Sequence, residues 1–109
     1  MELTRGDTGQ YKFKRLDAEG NAITNTPDSL DFTVKNSFSD SDIVFQKKLA
    51  DMTMDEDGTW HFTIAPADTE KLPVGNYVFD IEVKQDNYVQ TIAKGTLKLT
   101  SEATWYNNR

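Results

Sequence analysis

The 109-residue chain predicts an all-β fold, an antiparallel sandwich of two sheets. Three observations carry that expectation. Short apolar runs alternate with a period of two, as extended strands with one buried face do. Turn-forming residues recur between the runs at the spacing of short strands. No segment sustains the 3.6-residue period over the ten or more residues that a packed helix needs. The clearest run is 77–84, entered through Leu72-Pro73-Val74-Gly75. There Tyr77, Phe79, Ile81 and Val83 share one face, and Asp80, Glu82 and Lys84 share the other. This segment reads as a central strand, with Pro73 and Gly75 permitting an abrupt entry.

Taken in order, the chain opens on a short segment to Thr8, an expected edge strand closed by Gly6-Asp7. Tyr11 to Leu16 alternates with Tyr11 and Phe13 inward. Residues 17–21 (Asp-Ala-Glu-Gly-Asn) are hairpin chemistry, since Gly20 and Asn21 both tolerate positive φ. After Pro27, Leu30, Phe32 and Val34 alternate with Asp31, Thr33 and Lys35 as a second clear strand. A polar loop over 36–42 leads to an expected strand over 43–49. Asp57-Gly58 closes an acidic turn that suits a tight hairpin. Beyond it Trp60, Phe62 and Ile64 alternate with His61 and Thr63. Residues 65–71 carry a helix-start signal good for a turn or two. Asp86-Asn87 turns the central strand into a last one, where Ile92 is odd-spaced from Leu97 and Leu99. A bulge at Gly95 is the expected way for all three to face the core. Phe32, Val34, Trp60, Phe62, Tyr77, Phe79, Ile81 and Leu97 are the expected core.

Composition narrows the function classes. The length suits one domain with one core. The expected division is a sandwich over 1–100 and a C-terminal tail over 101–109. No apolar run approaches the roughly 20 residues of a membrane-spanning helix. No signal-peptide pattern opens the chain. With no cysteine there is neither a disulfide framework nor a thiolate. Eighteen acidic against twelve basic residues leave a net charge of −6, which disfavours nucleic acid as a partner, because phosphate binding needs a basic surface.

Candidate chemistry is sparse. His61 is the one histidine and falls on the polar face of a strand, with no nucleophile at motif spacing, so an exposed structural role is the expected one. Residues 40–42 and 55–58 offer carboxylates, but neither matches a twelve-residue calcium loop ending in a bidentate Glu. Solvated acidic turns are expected, with no metal and no cofactor. Arg5-Gly6-Asp7 matches a short adhesion tripeptide, yet its glycine is better explained by the turn into the first long strand. Trp105 and Tyr106 stand in the polar tail, beyond Leu99, where the alternating core ends. Aromatics flanked by polar residues have the anchor-and-rim character of protein interfaces. Docking on their own domain and contact with a neighbouring subunit are both open.

Four segments resemble one family when taken together and in order. They are Leu3-Thr4-Arg5-Gly6-Asp7-Thr8, residues 65–72 (Ala-Pro-Ala-Asp-Thr-Glu-Lys-Leu), Gly75-Asn76-Tyr77-Val78-Phe79-Asp80-Ile81 and Thr91-Ile92-Ala93-Lys94-Gly95-Thr96-Leu97. This pattern resembles the immunoglobulin-like domain of tail and baseplate proteins of phages of Gram-positive hosts, such as the N-terminal domain of baseplate upper proteins. The resemblance spans Leu3 to Thr100; Gly9, where a bulky strand residue is expected, departs from it. It implies an immunoglobulin-like sandwich and a structural module without catalytic residues. It implies synthesis in the bacterial cytoplasm and a place in the virion tail. The implied partners are other tail proteins or further copies of the chain, not a membrane. A surface-displayed carbohydrate- or cell-binding module is the alternative function.

Overall fold

A computed structural model describes residues 1–102 and shows an immunoglobulin-like β-sandwich. Eight strands follow one another: β1 (Glu2–Thr4), β2 (Gly9–Lys14), β3 (Ser29–Lys35), β4 (Phe45–Lys48), β5 (Thr53–Met54), β6 (Thr59–Ile64), β7 (Gly75–Gln85) and β8 (Tyr88–Thr100). One sheet has the order β1-β8-β7-β3-β4 and the other β2-β6-β5. The second, fifth and sixth strands against the third, seventh and eighth is the Greek-key division of an immunoglobulin-like domain.

The expected strands form because their apolar faces meet across the gap. Leu30, Phe32 and Val34 of β3 are fully buried, as is Ile64 of β6, and Trp60 and Phe62 lie with them. Phe62 and Phe32 stack from opposite sheets with ring centroids 4.6 Å apart. Phe79 extends this aromatic row at 5.5 Å from Phe32. Phe79 is only half-buried, however, unlike its neighbours Tyr77, Ile81 and Val83.

The turns follow their residue chemistry. Asp86 and Asn87 both take positive φ, at 51° and 67°, as a two-residue hairpin between twisted strands requires. Gly58 takes φ 90° to close the acidic turn, and Asp55 N–H reaches Thr59 O at 2.8 Å. The Asp17 carboxylate accepts from the N–H groups of Glu19 and Asn21, pinning the first hairpin tip.

Several expectations need correction. The sandwich is not wholly antiparallel: β1 runs parallel to β8, Leu3 opposite Leu99. After β1 the chain turns at Gly6 and crosses to the other sheet, so β1 never forms a hairpin with β2. The bulge lies at Ile92, not Gly95. Ile81 faces Ala93 while Glu82 faces Thr91, which leaves Ile92 as the extra residue. Gly95 sits opposite Phe79, and a Cβ there would come within 3.1 Å of the Phe79 ring. The glycine makes room for the ring. The expected strand over 43–49 is shorter, and Ile43 is exposed. The chain leaves β4 through a 3₁₀ turn (Leu49–Asp51) whose Asp51 carboxylate accepts Lys48 N–H, and it then switches sheets to form β5.

Gly9 also finds its reason, because a Cβ there would lie 2.7 Å from the Tyr11 ring. The short helix α1 (Pro66–Thr69) matches the helix-start signal, with Asp68 accepting Ala65 N–H at 2.7 Å. Asp68 also pairs with Lys47 of β4 at 2.7 Å, tying the helix to the edge of the larger sheet.

Candidate functional site

Three of the quoted sequence segments converge at one end of the sandwich. Gly6 N–H donates to the fully buried Thr69 hydroxyl at 2.9 Å, fastening the β1–β2 turn to α1. The Arg5 guanidinium donates to Leu72 O at 3.2 Å and forks onto Glu102, with its NH2 group 3.0 Å from Oε1. The Tyr77 hydroxyl donates back to Pro73 O at 2.6 Å, a tyrosine corner at the entry to β7. Arg5 N–H bonds Thr100 O, so the end of β1 lies beside the end of β8 here. The hydrogen bond to Glu102 is the main cause that raises the Arg5 pKa, with burial opposing it. The arginine therefore stays charged over all ordinary conditions.

This geometry disposes of the adhesion tripeptide. Arg5 is committed to Glu102 and Leu72, and Gly6 is buried against Thr69. A receptor would have to break that knot to read the arginine. Trp105 and Tyr106, the interface candidates, lie outside the described residues.

The other candidates are spread apart. His61 Nε2 meets Asp55 Oδ2 at 2.7 Å on the outer face of the smaller sheet, both largely exposed. No hydroxyl completes a nucleophile–base relay with that ring among the described residues. The Asp57 carboxyl accepts Thr59 N–H at 3.0 Å, and this bond is the leading cause that lowers its pKa. Lys14 pairs with the same residue at 3.5 Å. Asp40 serves through its backbone oxygen, which accepts from Lys35 Nζ. No group of three or more metal-ligating side chains gathers among the described residues.

Two features escaped sequence reasoning. Arg15, one residue beyond β2, is buried and donates to Asn25 O and Gln85 Oε1. Burial lowers its pKa. Strand alternation marks it only as sharing a face with Tyr11 and Phe13. The second is the distribution of uncovered apolar groups. Leu16, Tyr88 and Val89 are exposed near the β7–β8 hairpin, where a shallow groove of about 330 Å³ is lined by Leu16, Ile23 and Ile92 among others. Phe38 and Ile43 are exposed beside the outer face of the larger sheet, with Lys94 Nζ 5.4 Å from the Phe38 ring centre.

No protein-family model matches the chain, and no curated protein matches it. Solved structures do share the fold. The endo-beta-1,4-mannanase from Thermotoga petrophila superposes with a TM-score of 0.62 at 14% identity, over 93% of this chain. This chain spans only 17% of that enzyme. CopC from Methylosinus trichosporium OB3b superposes with a TM-score of 0.51 at 13% identity, over 96% of this chain and 87% of CopC. Identities this low speak to the fold alone.

Proposed function

We propose that the chain is a non-enzymatic assembly module of a phage or prophage tail or baseplate, working through protein–protein contacts. The observation that carries this reading is how the polar and apolar groups divide. The chain's one histidine and the carboxylates of Asp55 and Asp57 are spent on local pairs and turn caps. The uncovered apolar side chains stand at the ends and flanks of the sandwich. Exposed apolar groups among charged ones suit docking, where a few buried anchors carry most of the energy. The ordered resemblance from Leu3 to Thr100 is what directs the proposal to tails and baseplates, since fold alone does not assign function.

The carbohydrate-binding alternative draws support from the mannanase, in which this sandwich shape forms a small part of a longer chain. A sugar platform would group aromatics on one open strand face. Here Phe38 and Tyr88 are the most exposed of the described aromatics, one in the 36–42 loop and the other at a hairpin end. That separation favours assembly.

Antibody raised against the chain should label the tails of particles released by the bacterium that makes it. Particles free of the chain, together with saturable binding to mannan or another glycan, would transfer the assignment to the alternative.

A further inference from the structure

We propose that the groove beside Arg15 binds an acidic side chain, flanked by apolar residues, on an extended segment of a partner protein. The proposal rests on the assembly reading and gives the chemistry of the partner. The groove lies between the two arms of the turn over 17–21 and the first residues of β8. Its charge is one-sided. Lys14 and Arg15 line it and no acid does, although the chain carries eighteen acidic residues against twelve basic ones. Lys14 is matched by Asp57 at 3.5 Å. Arg15 has no such match. Its side chain is buried, and Nη1 and Nη2 donate to two neutral oxygens, Asn25 O and Gln85 Oε1. Among the described residues no carboxylate pairs with it. The acids of the adjoining turns face backbone N–H groups instead, Asp17 those of Glu19 and Asn21, and Asp28 that of Asp86.

Neutral acceptors make up only part of what a guanidinium loses on leaving water, so a buried cation is best completed by an anion. Nε–H and one N–H on each terminal nitrogen of Arg15 have no protein acceptor among the described residues. Arginine holds such donors in a fixed fork that fits a carboxylate. The rest of the groove defines what carries that carboxylate. Leu16, Ile23 and Ile92 give it an apolar lining, and exposed Tyr88 and Val89 extend the apolar surface past its rim. Ahead of the bulge at Ile92, residues 88–91 of β8 pair only with β7 among the described residues, because β1 reaches no further than Lys98. Their outward backbone groups are open to an extended chain. A carboxylate between apolar side chains on such a chain meets the cation, the apolar lining and the strand edge together.

The probes are two synthetic peptides, acetyl-Leu-Glu-Leu-amide and acetyl-Leu-Gln-Leu-amide, which differ by one charge. Titrated into the full chain, the Glu peptide should give saturable amide shifts at Leu16, Gln90 and Thr91. The Gln peptide should bind about 10-fold more weakly, because hydrogen bonds to a charged acceptor are about twice as strong as neutral ones. Arg15→Gln should erase that preference. Since replacing a buried side chain can unfold this end of the sandwich, Leu16→Ser, at an exposed position, is the second variant. It should weaken both peptides alike and keep the preference. Equal binding of the two peptides by the parent would leave Arg15 a cap of the core and overturn the proposal. So would the absence of saturable shifts at these amides, or a preference that survives Arg15→Gln. Acetate that saturates the same amides as tightly as the Glu peptide would give the groove to a small acid. A parent dimer that Arg15→Gln turns into a monomer would give it to a second copy. Either result would rule out the partner segment. Antibody labelling of tails is independent of these results, so the proposal can fail while the tail assignment stands.

Discussion

Removing one oxygen atom, with Tyr77→Phe, tests the corner that sets the entry to the central strand. The hydroxyl sits 2.6 Å from Pro73 O, and the ring is 6% exposed. Phenylalanine keeps the buried ring and its packing, so the hydrogen bond is the main loss. Pro73 itself is exposed, so water can reach the freed carbonyl. That places the cost near the net worth of a hydrogen bond, about 1 kcal/mol, rather than the roughly 1–3 kcal/mol of an orphaned buried group. For a domain of this size 1 kcal/mol moves the melting temperature by about 4–8 °C. Calorimetry reads that shift, and urea unfolding should show a lower midpoint with an unchanged slope. A melting temperature within about 1 °C of the parent would refute the corner as a stabilising contact. There is also a signature in pH. Burial is the main cause raising the Tyr77 pKa, with the Arg5 charge opposing it. The folded state therefore holds the phenol proton more tightly than the unfolded chain does. This contribution is complete below the ordinary tyrosine pKa and is lost as pH rises through the raised value. Tyr77→Phe should lose less stability than the parent above about pH 10.

Core truncations should grade with cover. Phe32→Ala, at a fully buried site, should cost about 3–5 kcal/mol; Phe79→Ala, at a half-buried one, should cost about 2 kcal/mol, and equal denaturation midpoints would contradict the packing. Gly95→Val should destabilise by displacing the Phe79 ring, and pairing it with Phe79→Ala should recover part of that loss; strictly additive costs would refute the contact. The lowered pKa of Asp57, led by the Thr59 N–H bond, gives stability present above the ordinary carboxylate pKa and lost as pH falls through the lowered one. Asp57→Asn should therefore flatten acid unfolding relative to the parent, as followed by circular dichroism between about pH 5 and 2. Millimolar calcium and a chelator should leave the melting temperature equal, because a ligand that binds the folded state must raise it; a rise of several degrees with calcium would reveal a site in the acidic turns.

Alternation along single strands determined much of this protein. Leu30, Phe32 and Val34, then Trp60, Phe62 and Ile64, fall where a period of two places them, because one face of each strand must leave water. Turn chemistry was equally local: Gly58, Asp86 and Asn87 take the positive φ that their residue types permit. Such signals need only a few neighbouring residues. The candidate site was less legible. The segments around Arg5, Thr69, Pro73 and Tyr77 could be recognised one by one, but their meeting in one knot depends on contacts up to 97 residues apart. The tertiary structure alone decided the parallel pairing of β1 with β8, the bulge at Ile92 and the space that Gly95 leaves for Phe79. In each case the deciding quantity is which strand lies alongside. A strand's own period reports which way its side chains point and carries no record of its neighbour.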